Sequence, residues 1–543
     1  MLQHYGSYRH LALTCLSCLA FPIAAYAATD PANRLLDEQR NAARLEQLSS
    51  PAPASIPAVP ALDADPQSIP ELGPVIPNPT VRVLTNDLIP QTIVDDTLAP
   101  YASLELGKER LTLLIRQLTA RLVEAGWVTS RAAVTGLSQR DGTVNIELIP
   151  GRIEAIRANA LTTLALERAM PLSDGDVLSI EALEQGLQQI NRLRMFDARI
   201  KILPGSAAFS DIVDLNMNPG RNWRVSVGID NQGQQSTGTG RARIQAHTEN
   251  TFGLLEDIQL AYLRSERSEV LLGSIALPDG FNTWSATVSA SRSSIPLYGF
   301  EYETHSSTIA LGFNRVLRLN REGRDAFDLT LLRARSARRY GPIDLKTDRT
   351  TVIRAAWTRL TRGARSQFYV EPAIAVGLAA LGAIKDESDL DKTDTHHQFV
   401  KYGINAGAVA ILNVSTEYAA QLQAQRSHLS LAGLEQISLG GLASVRGFRD
   451  ASLSGDTGYA LRQELRFPGA ISAASALTPY THLDVGTVWL TGATRRSLSS
   501  LGAGVRYSAD GLIAEAVISA PLRRTPLNDD HSWRLHAQLA YEF

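Results

Sequence analysis

From Trp223 to Phe543, apolar and polar residues alternate in short segments separated by turns. The last segment shows the period clearly. Trp533, Leu535, Ala537, Leu539, Tyr541 and Phe543 form one face, and Arg534, His536, Gln538, Ala540 and Glu542 the other. Trp223, Val225, Val227 and Ile229 oppose Arg224, Ser226, Gly228 and Asp230 in the same way. Tyr418, Ala420, Leu422 and Ala424 oppose Ala419, Gln421, Gln423 and Gln425, and Leu461, Leu465 and Phe467 oppose Arg462, Glu464 and Arg466. A period of two is the mark of strands.

A soluble two-sheet sandwich alternates too, but three features favour a transmembrane barrel. No helical stretch interrupts the series. Five of the six tryptophans (Trp223, Trp284, Trp357, Trp489 and Trp533) fall in it, mostly near segment ends, where an aromatic girdle sits. The polar face is rich in Arg and Gln, which suits a wet lumen. In lipid every backbone group must pair internally, so such a sheet closes on itself. At about 20 residues per strand and turn, the stretch predicts an all-β, antiparallel barrel of about 16 strands. That is wide enough for an aqueous pore. The strand ending at Phe543 is expected to pair with the one starting near Trp223.

Upstream, between Val81 and Pro219, the pattern is mixed α/β. Leu111, Leu114, Ile115, Leu118 and Leu122 recur at helical spacing within 108–125, and Gly126 ends that helix. Asp141-Gly142 is a turn before the alternating Val144, Ile146 and Leu148. The theme repeats with a helix from Ile180 through Leu187 and Ile190, then strands near 198–203 and 212–217. Two small α/β modules are predicted, at 81–150 and 151–219, with the barrel following from 220.

The N-terminus reads as an export signal over residues 1–27. Arg9 and His10 precede the apolar stretch Leu11–Ala25, and Ala25-Tyr26-Ala27 offers a cleavage site. Both cysteines, Cys15 and Cys18, lie inside it, so thiol chemistry is not expected in the mature chain. Asp30-Pro31 then caps a polar helix within 28–50, ringed by Arg34, Asp37, Glu38, Arg40, Arg44 and Glu46. Such a helix suits a wet cavity rather than a dry core. Residues 51–80 carry nine prolines and read as an extended linker.

A net charge of -2 argues against a nucleic-acid partner. Neither Gly-x-Ser-x-Gly nor His-Glu-x-x-His occurs, no nucleotide-binding loop is present, and no enzyme activity, cofactor or metal is expected. His396-His397 lies among Asp386, Glu387, Asp389, Asp391 and Asp394, which reads as a hydrated acidic loop.

The segment 436–450 contains ISLGGLASVRGFRD, too long and too rich in glycine for a turn. By count it lies between the eleventh and twelfth strands. A loop that folds back into the lumen would place Arg446 in a walled cavity, where an unpaired charge is costly and a carboxylate on the wall relieves it. Asp484 falls on the polar parity between Leu483 and Val485. An Arg446–Asp484 ion pair is therefore expected to anchor the loop, with Gly447 permitting close backbone approach and Phe448 packed on the wall.

Val445-Arg446-Gly447-Phe448 resembles the loop motif of the polypeptide-transport barrels. Asp484 and Gly486 match that family's wall-strand motif, while His482 departs from its usual first residue. Gly126-Trp127-Val128-Thr129-Ser130-Arg131, Gln139 to Gly142 and Pro150-Gly151-Arg152-Ile153 resemble a first POTRA module. Pro171 to Gly175, Leu183 to Leu187 and Asn191-Arg192-Leu193 resemble a second. In this order the motifs resemble the outer-membrane transporters of two-partner (type Vb) secretion, the TpsB family of haemolysin secretion/activation proteins.

The resemblance implies a transporter with periplasmic POTRA modules that capture an unfolded exoprotein and pass it through the barrel. Its implied partners are a large secreted TpsA-type exoprotein, outer-membrane lipid, and the barrel-assembly machinery that inserts it. It also implies that the helix at 28–50 plugs the lumen. The alternative is an assembly factor for other barrel proteins, which usually carries more POTRA modules and no plug helix. A diffusion porin gives the two modules no purpose.

Overall fold

In a computed structural model the described residues are 64–138, 141–320, 322–450, 452–469, 476–522 and 533–543. The export signal, the plug helix and the first half of the proline linker lie outside them.

The first module forms because one amphipathic helix covers one three-stranded sheet. Helix Lys108–Glu124 buries Leu114, Leu118 and Leu122 against Val144, Ile146 and Leu148 of strand Thr143–Ile149. That strand lies between Thr80–Leu84, its parallel partner, and Arg131–Ser138, its antiparallel one. Gly126 ends the helix at φ +96°, where Gly126 N–H donates to Val123 O and Trp127 N–H to Leu122 O. The helix start is capped from far upstream. Glu71 accepts the backbone N–H groups of Gly107, Glu109 and Arg110 at 2.9, 3.0 and 2.9 Å. Arg110 Nε also donates to Pro66 O at 3.1 Å, and Ile76 bridges to Leu106. The second half of the proline-rich stretch is thus packed onto this module rather than free. Its regularly spaced prolines hide that role, because the partner surface is a helix start some forty residues away.

The second module repeats the plan. Strand Ser210–Asn216 lies between Arg152–Ala158 and Arg199–Pro204, and helix Ile180–Asn191 covers it with Leu183 and Ile190. The same helix docks the module on the barrel. Gln189 Nε2 donates to Gly280 O at 2.9 Å and Asn282 O at 3.0 Å, and Glu181 accepts the Leu319 N–H at 2.8 Å. From the barrel side, Leu255 inserts into the module's core.

The barrel closes with sixteen spanning antiparallel strands among the described residues, from Trp223–Asp230 to Arg534–Glu542, counting Ile343–Asp344 with the hairpin it extends. The last strand pairs with the first through Gln538↔Asp230 to Glu542↔Ser226, which seals the sheet edge. The alternation sorts as expected. Ile229, Leu483, Leu501, Leu535 and Leu539 face outward and exposed, while Asp484, Ser500 and His536 face inward and buried. Among the described residues no helix is long and apolar enough to cross a membrane. The barrel strands make the span.

Candidate functional site: an arginine-anchored loop in the lumen

The chain leaves the eleventh strand at Ser427 and re-enters the wall at Thr457. The intervening loop turns back through two glycines, Gly440 at φ +116° and Gly441 at φ +76°. A Cβ at Gly440 would lie 2.0 Å from Arg449 O, so only glycine fits there. The loop is pinned at its root by Asp456, which is fully buried. Its carboxylate accepts Leu431 N–H, Gln436 Nε2 and Thr491 N–H at 2.8, 3.0 and 2.8 Å. Val445 and Phe448, both fully buried, join Ile437, Leu439, Leu453, Ala460, Val488 and Leu498 in an apolar cluster against the wall.

Between these two anchors Arg446 is fully buried and meets the carboxylate predicted for it. Its Nε donates to Asp484 Oδ2 at 2.8 Å and its Nη2 to Asp484 Oδ1 at 2.7 Å, a two-pronged contact. Its backbone N–H adds a third bond to Oδ2 at 3.1 Å. A second carboxylate, Glu464, accepts Nη1 at 2.6 Å. Gly447 sits where a Cβ would come within 2.6 Å of Ser500 Cβ, and Gly486 where a Cβ would come within 2.8 Å of Leu439. Both glycines let backbone and loop approach closely. All six sequence-predicted residues (Val445, Arg446, Gly447, Phe448, Asp484 and Gly486) are therefore brought together.

Sequence reasoning placed Glu464 on the polar face but gave it no role. It is a hub. Besides Arg446, it accepts Arg506 Nη1 and Nη2 at 2.8 and 2.9 Å and Arg466 Nε at 2.9 Å. Arg506 lies 4.2 Å over the Tyr480 ring and bonds Glu515 at 2.8 Å, and Tyr480 Oη donates to Glu515 at 2.7 Å. His536 Nε2 lies 2.9 Å from Arg446 O, and His482 lies 2.8 Å from Ser519 Oγ and 3.2 Å from Asp484 Oδ2. Gly502 makes room for His482, since a Cβ there would come within 2.4 Å of its Nε2. The departure from the family's usual residue at 482 is thus absorbed as a buried polar contact. Arg446, Glu464 and Arg506 each have at least two oppositely charged partners inside the wall, the condition under which buried ion pairs are tolerated.

The acidic loop read as hydrated differs from that expectation in part. His397 is buried between Asp348 at 2.6 Å and Asp386 at 3.3 Å, and Asp386 also accepts His397 and Gln398 N–H. Among the described residues no His, Cys, Asp and Glu cluster has the makings of a metal site.

A barrel with α/β modules docked at one mouth and a loop salt-bridged inside its lumen defines a polypeptide-transport barrel of the outer membrane. Residues 78–151 match the POTRA domain of ShlB type, residues 152–204 match a POTRA domain, and residues 210–507 match the haemolysin secretion/activation protein family ShlB/FhaC/HecB. The chain belongs to that family, whose members are outer-membrane transporters with periplasmic POTRA domains. It is 29% identical over 527 residues to outer membrane transporter CdiB of Escherichia coli, covering 88% of this chain and 86% of the relative. It is 26% identical over 479 residues to the hemolysin transporter protein ShlB of Serratia marcescens, covering 85% and 82%. The solved structure of CdiB from Escherichia coli shares the fold at a TM-score of 0.83 and 24% identity, over 95% of this chain and 99% of that one.

Proposed function

We propose that this chain captures one large unfolded exoprotein of the TpsA type in the periplasm and passes it to the cell surface through its barrel. The arginine-anchored loop carries this reading. A pore for small solutes has no use for a fully buried guanidinium held by Asp484 and Glu464. A loop that must leave one defined resting place to admit a polypeptide does. The exposed outer strand of the second module, Arg199–Pro204, offers unpaired backbone to an incoming segment, which would bind as an added strand. Residues 1–27 serve as the export signal, and residues 28–50 plug the lumen at rest. Outer-membrane lipid surrounds the barrel, and the barrel-assembly machinery inserts it.

The relatives named hemolysin transporter protein ShlB and outer membrane transporter CdiB favour a secreted cytolysin or contact-dependent inhibition toxin as cargo. The test is Arg446→Ala in cells that also express the exoprotein. Loss of surface exoprotein from correctly assembled barrels is expected, and undiminished secretion refutes the reading. Loss of other barrel proteins on deletion would instead point to an assembly factor.

A further inference from the structure

Four neighbouring strands carry one repeated outward pattern. Near the mouth where the modules dock, each presents an aromatic ring: Trp284, Phe313, Phe327 and Trp357. Trp284 pairs across with Phe313, and Phe327 with Trp357. Eight residues further from the modules along the same strands stand Arg292, His305, Arg335 and Arg349. Eight is even, so each basic residue shares the outward face of its aromatic. All four are exposed. Arg292 lies directly opposite His305, Arg335 directly opposite Arg349, and Arg335 one diagonal step from His305.

Between the two rows the outward face is mostly apolar, with Val288, Ile309 and Leu311 each more than half exposed, and Arg333, opposite Ile309, stands two residues below the basic row. The rows are about 26 Å apart along a strand at about 3.3 Å per residue. At a strand tilt of about 40° that is about 20 Å along the membrane normal, close to the apolar band of about 25 Å. The basic row therefore lies at the boundary of the leaflet facing away from the modules.

Like charges directly opposite each other on a sheet repel. On its other side Arg292 faces Glu269, an acid that itself pairs with Arg264 at 3.0 Å. Among the described residues Arg292, Arg335 and Arg349 make no ion pair, and His305 has only Glu303 at 4.0 Å. Arg339, four residues beyond Arg335 on the same strand, has its own acid in Asp344. The adjoining strand Ser366–Leu378 faces outward with Phe368, Val370, Ile374 and Val376 and ends the patch.

We propose that this row binds the phosphorylated headgroup of the outer-leaflet glycolipid, with its acyl chains lying along the apolar belt below. Guanidinium forks match phosphate oxygens in pairs, and long basic side chains reach from a lipid-facing strand to headgroup level. The proposal rests on the outer-membrane orientation, with the modules periplasmic. It is independent of what the pore carries.

The test uses the purified full chain in detergent, titrated with diphosphorylated lipid A and read by native mass spectrometry. Wild-type protein is expected to bind at least tenfold more tightly than the triple variant R292Q/R335Q/R349Q. Dephosphorylated lipid A should bind the wild type as weakly as the intact lipid binds that variant. Equal binding by wild type and variant, or of phosphorylated and dephosphorylated lipid, overturns the proposal. So does full competition by inorganic phosphate at the lipid's own concentration, which would mark a free-anion site. Heat-dependent gel migration reports whether each variant is a folded barrel. Should the triple variant not fold, Arg335→Gln alone is expected to bind about threefold more weakly, and unchanged binding overturns the claim. Exoprotein secretion is scored separately. A chain that binds lipid A but secretes nothing refutes the transport reading and leaves the lipid site standing.

Discussion

Arg446→Ala removes the guanidinium that holds the luminal loop to the wall. In the native protein it makes three side-chain hydrogen bonds to two carboxylates. Asp484 is fully buried, so its charge cannot be rescued by water. Breaking a buried pair by deleting one partner costs about 3–5 kcal/mol, because the other charge is stranded. Glu464 keeps Arg506 and Arg466, and Asp484 keeps the Arg446 backbone N–H and nearby His482. The lower end, about 3 kcal/mol, is therefore appropriate. At about 1.4 kcal/mol per tenfold, the docked loop loses about 150-fold in population relative to undocked states. Amide hydrogen exchange reads this directly, since protected loop amides exchange through opening. Peptides spanning 441–449 should exchange about 150-fold faster in the variant, while amides of the wall strand Leu477–Trp489 hold. Arg446→Lys keeps the charge but loses the two-pronged fork and should fall between. If loop exchange in Arg446→Ala matches wild type, the ion pair does not hold the loop and the anchoring argument fails.

Four further outcomes follow from the geometry. Gly447→Ala leaves every charge in place but drives a methyl to within 2.6 Å of Ser500; we expect about 1–3 kcal/mol of lost docking, visible in the same exchange experiment. Glu464→Gln unbalances Arg446, Arg506 and Arg466 together, so the heat-resistant barrel form should melt at a lower temperature than in Arg466→Gln, which touches only one arm. Glu71→Ala strips three N–H partners from the start of helix Lys108–Glu124, and should lower the first module's stability by about 1 kcal/mol in a denaturant titration, with the barrel transition unmoved. Burial by itself would lower the His397 pKa, but hydrogen bonds and charge from Asp348 and then Asp386 outweigh it and raise it. This contribution is complete below the ordinary histidine pKa and fades as pH rises through the raised value. Proteolysis within 379–399 should therefore increase on alkalinisation in the wild type, and lose that pH dependence in His397→Gln.

The order of the elements and the closure of the barrel were legible because membrane burial imposes a strict period. A strand between lipid and a wet lumen must alternate, so Leu483–Asp484–Val485 tells on its face which side Asp484 looks toward. The helix Lys108–Glu124 was equally plain from Leu111, Leu114, Leu118 and Leu122. Glu71 was not, since a proline-rich stretch carries no signal of the distant N–H groups it caps. Glu464 was visible as a luminal carboxylate but not as the meeting point of Arg446, Arg466 and Arg506, because those lie on a loop and two strands up to 60 residues apart in sequence. His397 looked like part of a solvated acidic run, and only the fold brought Asp348 and Asp386 to either side of it.

What the sequence determined by itself is thus whatever local periodicity and turn chemistry encode: two α/β units, a two-faced wall, and a glycine-punctuated loop with a charge that needed a partner. What only the tertiary structure decided is how charges from different strands share one another. Pairing register sets those distances, and register depends on the closure of the whole cylinder rather than on any one segment.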